Sequence, residues 1–187
     1  EPIHRTYVQA IHTARSRVLL TTPYFVPSET AMMALTNAAL AGIDVHVLVP
    51  ERSDSLIVTM AARSYYDELV AAGVKVWEYK AGMLHSKTLV IDDDFGFIGT
   101  ANFDLRSFRL NYEVGVAVMG AEFNEAFSAQ LQRDLPQSRR APPHRPHPLR
   151  PPLAAPVMRL FSPLLYIWPL FYPVSAPSAR LCSTSPH

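Results

Sequence analysis

The sequence predicts an α/β fold: a mixed sheet flanked by helices, followed by an irregular, proline-rich tail. Two observations carry this. Helical and strand-like segments alternate from residue 3 to residue 79, the pattern of a mainly parallel sheet with helices on its faces. Composition then changes abruptly near residue 135. All sixteen Asp and Glu and eleven of the seventeen Lys and Arg lie before that point, whereas the remainder holds six Arg, no acid and thirteen of the seventeen Pro. The expected division is a folded α/β domain over 1–135 and a Pro/Arg-rich tail over 136–187.

Residues 3–16 carry Ile3, Tyr7, Val8, Ala10, Ile11 and Ala14 at helical spacing. Val18-Leu19-Leu20-Thr21 reads as a short buried strand, and Thr22 to Pro27 as a loop at its end, stiffened by two prolines. Ser28 is an N-cap for a helix over 29–41 that Gly42 ends. Val45 to Val49 is a strand closed by Pro50. Ser53 or Asp54 is expected to cap a helix running to Ala72, with Gly73 as its stop and Val74 to Tyr79 as the next strand.

A different pattern follows. His85 to Asp92 reads as one strand, because Thr88-Leu89-Val90-Ile91 is β-branched or apolar throughout. Side chains two apart on a strand share a face, so His85 and Lys87 are expected to point the same way. Asp92, at an odd offset, should face elsewhere and hold the turn Asp92-Asp93-Asp94. Phe95 to Ile98 returns as a second strand, and Gly99 permits a close backbone approach. Thr100 and Asn102 offer a hydroxyl and an amide just past the strand end. Asn111 to Val118 reads as a further strand carrying Glu113, and a last helix covers roughly 121–135. A His, a Lys, an Asn and a Thr with a Glu in reach suit an anionic tetrahedral substrate. Ligands of open α/β sheets sit outside the carboxyl ends of strands, so Tyr24 and Phe25 are expected to border the same pocket as substrate-binding residues.

The string His-x-Lys-x4-Asp-x6-Gly-Thr-x-Asn, here His85 to Asn102, resembles the signature of the phospholipase D superfamily. Its continuation Ala101-Asn102-Phe103-Asp104-Leu105-Arg106-Ser107, then Asn111-Tyr112-Glu113, looks most like the second half of bacterial cardiolipin synthases. Thr100 stands where the family usually has Ser and keeps the hydroxyl. The resemblance implies catalysis by His85, Lys87, Asn102 and Glu113, with Glu113 behind His85, orienting its ring. It makes Thr100 and Arg106 candidates for phosphate contact, although Thr100 could equally serve the turn backbone and Arg106 could simply be solvated. Asp92 and Gly99 are structural members of the motif.

The activity so implied moves a phosphatidyl group between phosphatidylglycerol molecules through a phosphohistidine. No cofactor or metal is called for. Two copies of the motif normally build one site, and this chain has one; its only lysines are Lys75, Lys80 and Lys87. The expected partners are therefore a phospholipid, a membrane surface, and a complementary half or a second copy of the chain. A homodimeric nuclease of the same superfamily and a non-catalytic remnant are the alternatives. Nucleic acid is disfavoured because residues 1–135 are net acidic.

The implied location is the bacterial cell membrane, either peripheral or anchored through a segment preceding Glu1. The start lacks Met and the marks of a signal peptide, and reads as a cut into a longer protein. The single Cys182 excludes an internal disulfide. Residues 160–179 are apolar and uncharged, but Pro163, Pro169, Pro173 and Pro177 spoil a simple spanning helix. An interfacial or disordered tail, or an out-of-frame reading of a GC-rich gene, accounts for the composition instead.

Overall fold

A computed structural model describes residues 1–142; the readings made for the tail beyond Pro142 lie outside the described residues. In chain order the elements are α1 (Pro2–Thr13), β1 (Arg17–Thr21), β2 (Phe25–Val26), α2 (Glu29–Leu40), β3 (Asp44–Pro50), α3 (Leu56–Ser64), α4 (Tyr66–Ala71) and β4 (Lys75–Tyr79). There follow β5 (Thr88–Ile91), β6 (Phe95–Gly99), β7 (Phe103–Asp104), α5 (Leu105–Arg109), β8 (Gly115–Met119), α6 (Ala121–Asp134), a 3-10 turn at Leu135–Gln137 and β9 (Ser138–Arg140).

Seven strands form one mixed sheet in the order β8-β6-β5-β1-β3-β4-β9, and β2 pairs with β7 in a small second ladder. The centre, β1-β3-β4, is parallel, as the alternation of helices and strands requires, while β5, β6, β8 and β9 join antiparallel. Alternate side chains of the central strands supply the two faces. Val18, Leu20, Val45, Val47, Val49 and Val76 enter the main core with buried residues of α1, α2, α3 and α4, including Tyr7, Leu35, Ala61 and Leu69. Leu48 faces the other way and packs with Leu84 and with Leu131 of α6.

Several boundaries moved for local reasons. The first helix stops at Thr13 because the amides of Arg15, Ser16 and Arg17 are taken by the Asp92 carboxylate, at 2.8 to 3.2 Å. Ser28 caps α2 as expected, accepting from the Ala31 amide at 3.1 Å, and Gly42 and Gly73 follow their helices with φ of 89° and 100°. The long helix expected over 54–72 is two helices. Ser55 is its cap, Ser53 instead bonds Thr59, and the break falls at the buried Tyr65.

The sheet also extends past the composition shift at 135. Trp77 to Tyr79 pair with Ser138 to Arg140, and Ala141 is buried in the main core. The physical reason is Glu78, which is fully buried. It accepts from Arg63 Nε at 3.0 Å and from Arg139 Nη2 at 2.8 Å, so this edge strand brings a second guanidinium to the buried carboxylate.

Candidate active site

The candidate residues gather at one end of the sheet. There β1 ends at Thr21, β5 begins at Thr88, β6 ends at Gly99 and β8 begins at Gly115, and these residues are neighbours across the ladders or directly flank them. The Gly99 amide donates to the Lys87 carbonyl at 3.2 Å, and the Thr100 amide to the Val114 carbonyl at 2.9 Å. Lys87, Thr100 and Glu113 are thereby brought to adjacent positions from three separate segments. Gly99 is required for this approach: a Cβ there would lie 2.5 Å from the Val114 carbonyl oxygen and 2.9 Å from the Gly115 Cα.

His85 and Lys87 do not lie on a strand. The strand starts at Thr88, and His85-Ser86-Lys87 is irregular, so the alternation argument does not govern these two side chains. The Lys87 ammonium folds back to donate to the His85 carbonyl at 2.8 Å. The His85 imidazole is exposed and makes no hydrogen bond to any described residue. Partial burial draws the Lys87 pKa below that of a free lysine, while the charges of Glu113 and Asp104 act to raise it.

Glu113 does not contact His85. Both its oxygens are engaged, one by the Thr100 hydroxyl and the other by the Asn111 side-chain amide at 3.0 Å. The reason is that β8 begins only at Gly115. Asn111 to Val114 form a loop pinned to Thr100, whose hydroxyl also accepts from the Val114 amide at 3.0 Å. Arg106 continues the chain of contacts, its Nε donating to Asn111 Oδ1 at 3.2 Å, whereas Arg109 turns away to Glu1. The Asn102 backbone amide donates to Ser107 Oγ at 3.1 Å, and its side-chain oxygen is buried without a partner among the described residues.

Tyr24 borders this end, because β2 pairs with β7 immediately after Asn102; its hydroxyl donates to Asp54 at 2.6 and 2.7 Å. Phe25 does not line the site. It is fully buried and stacked on Phe103, with ring centroids 5.6 Å apart, because Phe25 and Phe103 are register partners.

Sequence reasoning missed Asp104. It caps α5 by accepting from the Ser107 amide at 2.6 Å, and burial pushes its carboxyl above the usual range, with the Glu113 charge adding to the rise. The spacing Asp104-x-x-Ser107 at the start of a helix was the available signal.

Asp92 lies at the far end of β5. It has φ of 53° and binds Arg15 to Arg17, and these hydrogen bonds hold its carboxyl below the ordinary value against the opposing effect of burial. A broad concavity of about 1290 Å³ lies at this same end, between α1 and the Asp92 turn, and contains neither His85 nor Lys87. Among the described residues no group of three His, Cys, Asp or Glu could hold a metal ion.

A free imidazole, an ammonium two residues away and a hydroxyl tied to a carboxylate, all at the end of a mixed α/β sheet, define a phospholipase D-like domain. Comparisons with known proteins agree. Residues 7–135 match the family model described as "Cardiolipin synthase, PLD-like domain". The probable cardiolipin synthase YwiE of Bacillus subtilis is 40% identical over 143 residues, covering 76% of this chain and 29% of that protein. A cardiolipin synthase of Geobacillus kaustophilus is 42% identical over 173 residues, covering 88% and 33%. Among solved structures, the phospholipase D family member Nuc from Salmonella typhimurium superposes with a TM-score of 0.63 at 22% identity, covering 73% of this chain and 89% of that one. The chain belongs to the cardiolipin synthase family of phospholipase D-like domains, and it spans about a third of the length of these curated relatives.

Proposed function

We propose that this chain supplies one half of a phosphatidyl-transferring site, with His85 as the proton-transfer residue of a two-histidine mechanism. The unengaged imidazole of His85, two residues from Lys87 at the sheet end that also carries Thr100 and within the matched family region, carries this reading. The nucleophilic histidine comes from a complementary half or from a second copy of the chain. Its ring nitrogen attacks phosphorus and the P–O bond to the departing glycerol breaks. His85 gives that alkoxide its proton, then takes the proton of the incoming phosphatidylglycerol hydroxyl, which displaces the histidine. Lys87 and Asn102 bind the phosphate oxygens as charge builds.

Thr100, Asn111 and Glu113 form the wall that positions Lys87, and Arg106 and Tyr24 border the substrate. The membrane surface is the site of action, as for an enzyme whose donor and acceptor are both lipids. A nuclease reading has less support, since acids outnumber Lys and Arg sixteen to eleven over 1–135.

The test is product formation from phosphatidylglycerol vesicles against chain concentration, with and without the complementary half of a relative. A monomer should be nearly inactive, since acid–base assistance alone is typically worth about 10²–10⁴ in rate and the covalent step would be lost as well. Adding the half should restore turnover that His85→Ala abolishes. Activity strictly proportional to concentration, in a chain shown by sedimentation to be monomeric, would refute the shared site.

A further inference from the structure

Beside the candidate site stands an apolar projection that the fold itself does not use. Leu56, Ile57 and Met60, at positions i, i+1 and i+4 of α3, are 73%, 36% and 46% exposed and form one patch. The opposite face of α3 is the buried one, through Thr59, Ala61 and Ala62. Met83 is 81% exposed in the loop two residues before His85. Both features adjoin the site. The Asp54 carboxylate, just ahead of α3, accepts from the Tyr24 hydroxyl, which ties the start of α3 to the border of the site.

Two cations stand at the bases of these projections. The Glu51 amide donates to the Tyr79 carbonyl at 2.8 Å, so Arg52 and Lys80 leave adjacent strand ends side by side. Both are exposed, and neither makes an ion pair with a described residue. Large apolar side chains on short projections with a cationic collar are the arrangement of an interfacial membrane contact. The apolar groups enter the acyl boundary and the cations meet anionic headgroups.

We infer that the α3 patch and the Met83 loop form the face by which this domain sits on an anionic phospholipid bilayer, with Arg52 and Lys80 at headgroup level. The inference rests on the phosphatidyl-transfer reading only in its purpose: the face lets a lipid headgroup reach the site while its acyl chains stay in the bilayer.

The experiment is flotation of the full 187-residue chain with vesicles of phosphatidylglycerol and phosphatidylcholine in equal parts. Met83→Glu, and separately Leu56→Glu with Met60→Glu, should each weaken binding by about tenfold or more. Arg52→Gln and Lys80→Gln should each weaken it about fivefold, and the two together should remove the preference over pure phosphatidylcholine vesicles. Flotation requires no turnover, so a failure of the catalytic reading shows in the transfer assay and not here. Met83→Glu lies in a loop and decides the matter if the α3 double variant loses its circular dichroism.

Three results would overturn the inference. The parent chain could fail to float. Met83→Glu could float within about twofold of the parent. The α3 and Met83 variants could lose self-association by sedimentation while still floating, which would make the face a protein contact.

Discussion

Replacing Asp92 with asparagine removes one charge and keeps the side-chain shape at a position with φ of 53°, which asparagine also tolerates. The carboxylate accepts from the amides of Arg15, Ser16 and Arg17 and from the Ser16 hydroxyl, at 2.8 to 3.2 Å. An amide at this site turns one oxygen acceptor into a donor that faces donors. Hydrogen bonds to a charged group are worth roughly 1.5–3 kcal/mol each, but the site is partly exposed and water replaces part of what is lost. A net loss of about 2–3 kcal/mol is expected, or roughly 4–10 °C in Tm for a domain of this size.

The sign with pH follows from the lowered carboxyl. Its contribution is present above the unfolded-state value of about 3.9 and is lost as pH falls through the lower folded-state value. The gap between parent and Asp92→Asn should therefore be full at pH 7 and close in the acid range below about pH 4. Asp92 stands five residues from Lys87 along an extended strand, roughly 16 Å away, so the folded variant should keep its activity when the complementary half is added. Thermal unfolding followed by circular dichroism from pH 7 to pH 3 is the assay. A Tm change under about 1 °C at pH 7, or full stability with activity lost, would refute the structural role.

Gly99→Ala should cost about 1–3 kcal/mol and reduce reconstituted activity, because its Cβ would press on the Val114 carbonyl that receives Thr100; unfolding and turnover measured on one preparation would show both. Arg139→Ala leaves the buried Glu78 with less compensation. Breaking a buried pair costs about 3–5 kcal/mol, but Arg139 is 44% exposed and Arg63 remains, so about 1–2 kcal/mol is expected in urea unfolding. A chain cut after Leu135 should be less stable than one cut after Pro142 by at least as much, and equal midpoints would count against a structural β9.

Most of the sheet could be read directly because its strands are short apolar runs bounded by Gly, Pro and capping Ser. Ser28, Gly42 and Gly73 act locally, and local signals survive translation into structure. Phe25 shows the opposite case. Between two prolines and after a strand it reads as a residue at the mouth of a site, but only its pairing with Phe103, far away in sequence, decides that it is buried. The strand over 138–140 is not legible in the sequence, because a Ser-Arg-Arg triplet in an Arg-rich tail has no strand pattern; its guanidinium at Arg139 reaches the buried Glu78. Asp92 was assigned to structure by counting from His85 along one strand. The assignment agrees with the geometry, but the count does not, since the strand begins three residues after His85. Glu113 and His85 were linked by their place in a motif, and the loop before β8 gives the Glu113 carboxylate to Thr100 and Asn111 instead.

The charges around Lys87 bear on how much one half can do. Its ammonium donates to the His85 carbonyl and is within reach of the charges of Glu113 and Asp104, while burial and the Glu113 charge raise the Asp104 carboxyl against the lowering effect of Arg106. A phosphodiester anion entering this half alone meets Lys87 and, at the border, Arg106, both offset by neighbouring carboxylates. A second half adding its own lysine would reverse the balance, which is a physical reason for sharing the site independent of how many histidines the chemistry uses. Neutralising Glu113 tests it. Two unit charges about 4 Å apart interact by about 1 kcal/mol in bulk water and more near a protein surface, so Glu113→Gln should tighten binding of inorganic phosphate to the isolated chain by at least about fivefold. Glutamine keeps one oxygen to accept from Thr100 but loses the acceptor of the Asn111 amide, so unfolding is measured on the same preparation to separate loop displacement from charge. Calorimetric titration of both proteins with phosphate at low salt reads the difference, and about 0.5 M salt should shrink it by screening. Equal affinities, or weaker binding by Glu113→Gln with unchanged stability, would mean that Glu113 does not oppose anion binding and that the need for a second half lies in the chemistry alone.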